Sequence, residues 1–161
     1  MEKKIMRDLF ERQLQNLYNS ELLILNILPE MLKYATDKEL KEIIRRYTEQ
    51  TYDQKQRLVE IGEYLHIRFK INDGKIILGL LEETRDLFAD FPGGFLMDVG
   101  IISKIQHIGH FQISAYETAL LYAKALDIKE VADQLDETLW EAYEGDENCG
   151  DYARNLIFNK N

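Results

Sequence analysis

Cysteine is almost missing from this chain: Cys149 stands alone among 161 residues. No internal disulfide can form, and a reducing, cytoplasmic setting is expected, with the thiol itself inert. Two prolines and nine glycines leave little material for a disordered linker, so one domain over residues 1–161 is expected, large enough to bury a core without staples. Long apolar runs are absent too, and nothing approaches the roughly 20 residues that span a bilayer. Met1-Glu2-Lys3-Lys4 leads straight into an amphipathic pattern, without a signal-peptide core. Bases are outnumbered, 20 against 29 acids, for a formal charge of −9 scattered along the chain. That balance reads as a solvated helical surface and opposes binding to nucleic acid or an anionic membrane. There is no Gly-rich phosphate loop after a strand, no serine nucleophile elbow, no cysteine–histidine pairing with context, no repeat and no strand pattern.

What is present is helical periodicity. Leu14, Leu17, Ile24, Leu28 and Met31 recur at alternating steps of three and four, which places them on one face of a helix over 6–34 that Pro29 bends. Glu21 occupies the missing step of that series. Thr36 followed by Glu39 reads as a capping box, so a second helix runs over 38–65 after a tight turn. Its apolar face carries Leu40, Ile44, Tyr47, Leu58, Ile61 and Leu65, but between Tyr47 and Gln54 there is no aliphatic residue. Asn72-Asp73-Gly74 marks a turn before a short helix over 75–89, with Ile76, Ile77, Leu80, Leu81, Leu87 and Phe88 on one face. Pro92-Gly93-Gly94 stops it. A fourth helix covers 96–126, and Asp127 to Glu130 starts a last one over 128–144 that frays or bends at Gly145 and Gly150. Tyr152, Leu156, Ile157 and Phe158 then suggest a short tail folded back on the body.

Two tightly joined helices, a short crossover helix and two more joined helices give an all-α, ferritin-like antiparallel four-helix bundle. An up-and-down bundle with a capping helix is the alternative. Leu9-Phe10, Leu17-Tyr18, Glu21, Leu28-Pro29, Glu39-Leu40, Thr51, Gln54 and Arg57-Leu58 also resemble the YciE/YciF-like stress proteins. So do Gly79 to Glu83, Ala115 to Thr118 and Leu135 to Leu139, and the match covers residues 6 to 146 in order. The resemblance implies a ferritin-like bundle paired as a homodimer, with core carboxylates at a di-metal position and no established reaction.

A di-metal bundle takes one Glu from each of two helices and Glu-x-x-His from each of the others. At about 100° per residue, Glu21 falls within the apolar face of its helix, and Gln50, Thr51 and Gln54 lie on or beside the core face of theirs. Glu49 and Asp53 point away. On the fourth helix the arc through Ile101, Ile105, Tyr116 and Ala119 takes in Gly109 and Gln112, where the resemblance implies acids. Ala142 is inward on the last helix, and Asp146 is the nearest inward acid there. Neutral amides ligate iron poorly and cancel none of its charge.

The expectation is therefore a degenerate site. Glu21 is met by a polar layer of Gln50, Gln54, Gln112 and Tyr116, with hydroxyls from Tyr47 and Thr51 nearby, and burial raises its pKa unless those donors favour the charged form. Alternatively Glu21 reaches a water-filled edge. His107 and His110 face away from the core, Glu141 and Glu144 read as solvated, and Trp140 fits a core edge or an interface. The function expected is that of a non-enzymatic stress or interaction protein without cofactor. The alternative is a metal-binding or oxidoreductase-like protein holding iron, manganese or zinc on Glu21, Glu49, Asp53, His110 and Asp146.

Overall fold

The computed structural model describes residues 2–72 and 74–159, so Asp73 of the expected turn lies outside the described residues. Five helices follow in order: α1 (Glu2–Tyr34), α2 (Lys38–Leu65), α3 (Lys75–Asp90), α4 (Phe95–Ala125) and α5 (Lys129–Asn159). Cross-helix bonds fix their directions. Thr36 meets Asp98 while Glu21 meets Gln112, so α1 and α4 are antiparallel. Asp37 meets Tyr152 while Arg57 meets Glu141, so α2 and α5 are antiparallel as well. With short turns joining α1 to α2 and α4 to α5, helices α2 and α4 must then run in the same direction. Residues 66–94 have to carry the chain back along the bundle, and α3 does so against α1 and α4. That long crossover makes the bundle ferritin-like and rules out the up-and-down alternative.

Several local signals differ from the pattern read in the sequence. The Thr36 capping box is not formed; Asp37 caps α2, its Oδ1 accepting from Glu39 N at 3.0 Å and Leu40 N at 3.1 Å. The Thr36 hydroxyl is taken by Asp98 instead. Helix α2 ends with His66 at φ 57°, and its N–H and that of Ile67 turn back to Glu63 O and Gly62 O. Asp127, at φ 59°, closes α4 in the same way through Lys124 O and Ala123 O. On α3 the buried stripe is Ile77, Leu81, Thr84 and Phe88, which leaves Ile76 one step round the helix and 69% exposed.

The largest difference is α5. It continues through Gly145 and Gly150 to Asn159, with no tail folding back. The physical reason is the continued stripe: Val131, Leu135, Leu139, Cys149, Tyr152 and Leu156 keep the helical step and stay buried, outweighing the glycine cost. Ile157 and Phe158 point outward. Trp140 is likewise exposed, at 75%. No helix among the described residues is long and apolar enough to cross a membrane.

The core has two halves. One gathers Ile24, Leu28, Met31, Leu40, Ile44, Ile101 and Ile105 with α3; the other gathers Phe10, Leu14, Leu17, Leu58, Ile61, Tyr116 and Leu135. Between them lie the buried polar residues Glu21, Thr51, Gln54 and Gln112. The aliphatic gap of α2 falls in this layer.

Candidate functional site: a buried carboxyl and its polar layer

Glu21 is fully buried at the middle of α1. The Gln112 amide nitrogen donates to both its oxygens, at 3.1 and 3.0 Å, and the Tyr116 hydroxyl donates to Oε1 at 2.8 Å. The Tyr47 hydroxyl in turn donates to the Gln112 carbonyl oxygen. Loss of solvent raises the Glu21 pKa to about 7, and the two donors hold it back only in part. Burial beside that carboxyl also pushes the Tyr116 hydroxyl well above its usual range. A half-turn of the Gln112 amide would reverse the chain, offering its oxygen to a protonated Glu21 and its N–H2 to Tyr47. The layer can therefore hold Glu21 in either charge state.

The other expected members divide. Gln112 and Tyr116 join Glu21, whereas Gln50 and Gln54 do not. Gln54 turns to α5, its amide donating to Glu141 Oε2 at 3.3 Å, because that carboxylate is nearer its register than α1. Gln50 lines a cavity between α2, α4 and α5. Thr51 is buried with no hydrogen-bond partner for its hydroxyl among the described residues. Glu49 and Asp53 are exposed, at the rim of the same cavity. His107 and His110 are exposed, and His110 Nε2 lies 2.9 Å from either oxygen of Asp146, with bonding geometry at Oδ2 only. No three of His, Cys, Asp and Glu gather as a metal-ligand group among the described residues.

Glu141, expected to be solvated, is a correction. Arg57 grips it with both nitrogens, at 2.8 and 2.6 Å, and adds a bond to Thr138 Oγ1 at 3.1 Å. The hydrogen bond to Glu141 raises the Arg57 pKa. Pairing across two helices needs the bundle register, so no local pattern announces it. Cys149 is buried and its thiol pushed up to about 11, chiefly by burial, which suits the inert role expected.

One residue missed by sequence reading is Asp98, which is 2% exposed. It accepts from Thr36 N at 2.7 Å, Thr36 Oγ1 at 2.6 Å and Asp37 N at 3.1 Å, and so fastens the α1–α2 turn to α4. The signal was available: Asp98 interrupts the apolar series Met97, Ile101, Ile102, as Glu21 interrupts its own.

Glycines shape this region in opposite ways. A Cβ at Gly145 would meet only Gln50 Oε1 at 3.6 Å, and one at Gly109 only Asp146 Oδ1 at 4.0 Å. Gly109→Ala and Gly145→Ala should each raise stability by about 0.5–1 kcal/mol in urea melts, from backbone entropy alone. Gly62→Ala should instead cost about 1–3 kcal/mol. Its Cβ would lie 2.8 Å from the Phe69 ring, which is stacked on Tyr18. Equal effects at the three sites would contradict this packing.

Comparison with known proteins agrees with the fold. The family described as a domain of unknown function, DUF892, matches residues 5–160. Protein YciF of Escherichia coli (strain K12) is 25% identical over 162 residues, covering 99% of this chain and 97% of its own. The crystal structure of that E. coli stress protein superposes with a TM-score of 0.91 at 24% identity, over 96% of this chain and 98% of the other. YcfI from Rhodopseudomonas palustris gives 0.86 at 24% identity, over 90% and 92%.

Proposed function

The chain belongs to the DUF892 family, and from that premise we propose that it is a non-catalytic stress protein built on a ferritin-like bundle. In this reading a hydrogen-bonded polar layer stands where such a bundle would hold two metal ions. The observation that carries it is the company of Glu21: one buried carboxyl, faced by the amide of Gln112 and the hydroxyl of Tyr116. These donors do not fit a di-metal centre. Two divalent ions beside one carboxyl would leave most of their charge uncompensated in a low dielectric, and an amide cancels none of it. Gln54 is committed to Glu141, and Ala142 brings no ligand from α5.

A homodimer and the absence of nucleic-acid partners belong to the same proposal. Trp140, Leu121 and Tyr143 expose apolar surface on the outer side of α4 and α5, which supports pairing with a second copy. The charge of −9 opposes a nucleic-acid partner. The decisive measurement is the metal content of untagged protein purified without chelator. Iron, manganese and zinc are each expected well below one equivalent per chain. Near-stoichiometric metal that disappears in Glu21→Gln would overturn the proposal in favour of a rearranged site drawing on Glu49, Asp53, His110 and Asp146.

A further inference from the structure

A separate cavity of about 630 Å³ lies in the groove between α1 and α4, where the start of α3 closes one end. Its volume is within the size range of small-molecule sites. Its charge is opposite to that of the chain as a whole. Arg12 and Lys75 line it and, among the described residues, no acid does, although acids outnumber bases by 29 to 20 overall. Neither base has an ion-pair partner among the described residues, whereas Arg7 on the same helix is held by Glu11.

The direction of α3 adds to this. Gly74 lies against Leu23 and Asn19, and Arg85 pairs with Glu30, so α3 runs along α1 in the same sense. Its first turn therefore faces back down the groove, toward Asn16 and Arg12. Gly74 supplies no side-chain cap, and the N–H groups of Lys75, Ile76 and Ile77 meet no acceptor among the described residues. These donors and the positive end of the helix act at the same place as the Lys75 ammonium. The walls beyond are mixed: Leu17, Phe111 and Ala115 offer apolar contact, while Asn16, Ser114 and Thr118 offer polar edges. Ile76 lines the same cavity and is 69% exposed. An inorganic anion would answer the charge and leave that apolar surface bare; an anionic head on an apolar body answers both.

We infer that this groove binds a small organic carboxylate, its head at the first turn of α3 beside Lys75 and its apolar body between Leu17 and Phe111. The groove shares no residue with the Glu21 layer, so the inference stands apart from the reading of that layer. The test is a titration of the untagged full chain followed by amide NMR shifts, at about 20 mM salt to limit screening. Three probes are compared: 4-phenylbutyrate, its neutral amide 4-phenylbutyramide, and butyrate. The first should saturate with Kd on the order of 1 mM or tighter, with shifts centred on Ser20, Gly74, Ile76, Phe111 and Ser114. The amide, which lacks the charge, and butyrate, which lacks the ring, should each bind about fivefold more weakly or worse. The double variant Arg12→Gln/Lys75→Gln should weaken 4-phenylbutyrate about fivefold. Ser114→Phe, which fills the groove and leaves every charge in place, should weaken it as well. Lys38→Gln/Lys124→Gln, at exposed positions outside the groove, makes the same charge change and should leave binding unaltered. The inference is overturned by a failure to saturate, by equal affinity for the acid and its amide, or by equal losses in the two double variants. Butyrate binding as tightly as 4-phenylbutyrate would overturn it too, by reducing the groove to a site for any carboxylate.

Discussion

Replacing Glu21 by Gln is expected to flatten the pH dependence of stability between about pH 4.5 and 7. In the native protein this carboxyl titrates near 7 instead of 4.5, because burial penalises its charged form. The folded state therefore holds a proton that the unfolded state has released throughout that window. Stability from this group is fully present below about pH 4.5, declines as pH rises, and is lost once pH passes about 7. The total is about 3–4 kcal/mol, the free-energy equivalent of moving this carboxyl from 4.5 to about 7. A glutamine cannot titrate, so the difference between native and variant stability should move by that amount in favour of the variant. Its extra N–H groups need acceptors, which a reversed Gln112 can supply, and any residual cost there is independent of pH. Urea melts of both proteins from pH 4.5 to 8.5 provide the measurement. Parallel curves would mean that Glu21 is solvated in solution.

The second large effect is expected at Asp98. Asp98→Ala should lower stability by about 3–4 kcal/mol at neutral pH, while Asp98→Asn should recover part of it. The alanine leaves the backbone N–H groups of Thr36 and Asp37, together with the Thr36 hydroxyl, facing a side chain that can no longer accept. Each hydrogen bond to a charged acceptor is worth about 1.5–3 kcal/mol, and water entering the vacated space offsets part of the loss. The asparagine keeps one acceptor oxygen but turns an N–H2 toward those donors. Denaturant melts of the three proteins test this. A change below about 1 kcal/mol in the alanine variant would show that the turn finds other acceptors.

Helix existence was legible because apolar residues repeat at the helical step over four long stretches, and nothing in the composition competed with that period. The same periodicity singled out Glu21, since a carboxyl inside an apolar stripe stands out in one dimension. Asp98 carries the same mark but stands out less, being one acid near the start of a helix where acids are common. Helix ends were less legible. Left-handed closure at His66 and Asp127 uses residues other than glycine, and the course of α5 beyond Gly145 depends on burial along α4 that no local propensity records.

The chain alone thus determined five helices, a long connection between two hairpins, and Glu21 as an acid within an apolar stripe. The crossover and the burial of Asp98 were decided by the tertiary structure. Which donors meet Glu21 was decided only by tertiary register. Gln50, Gln54 and Gln112 are all near the core face on a helical wheel, yet only Gln112 reaches Glu21. A wheel gives an angle around one helix, while a hydrogen bond also needs the height and distance of another. Those coordinates turned Gln54 toward Glu141, paired Glu141 with Arg57, and opened a cavity where small residues from two helices coincide.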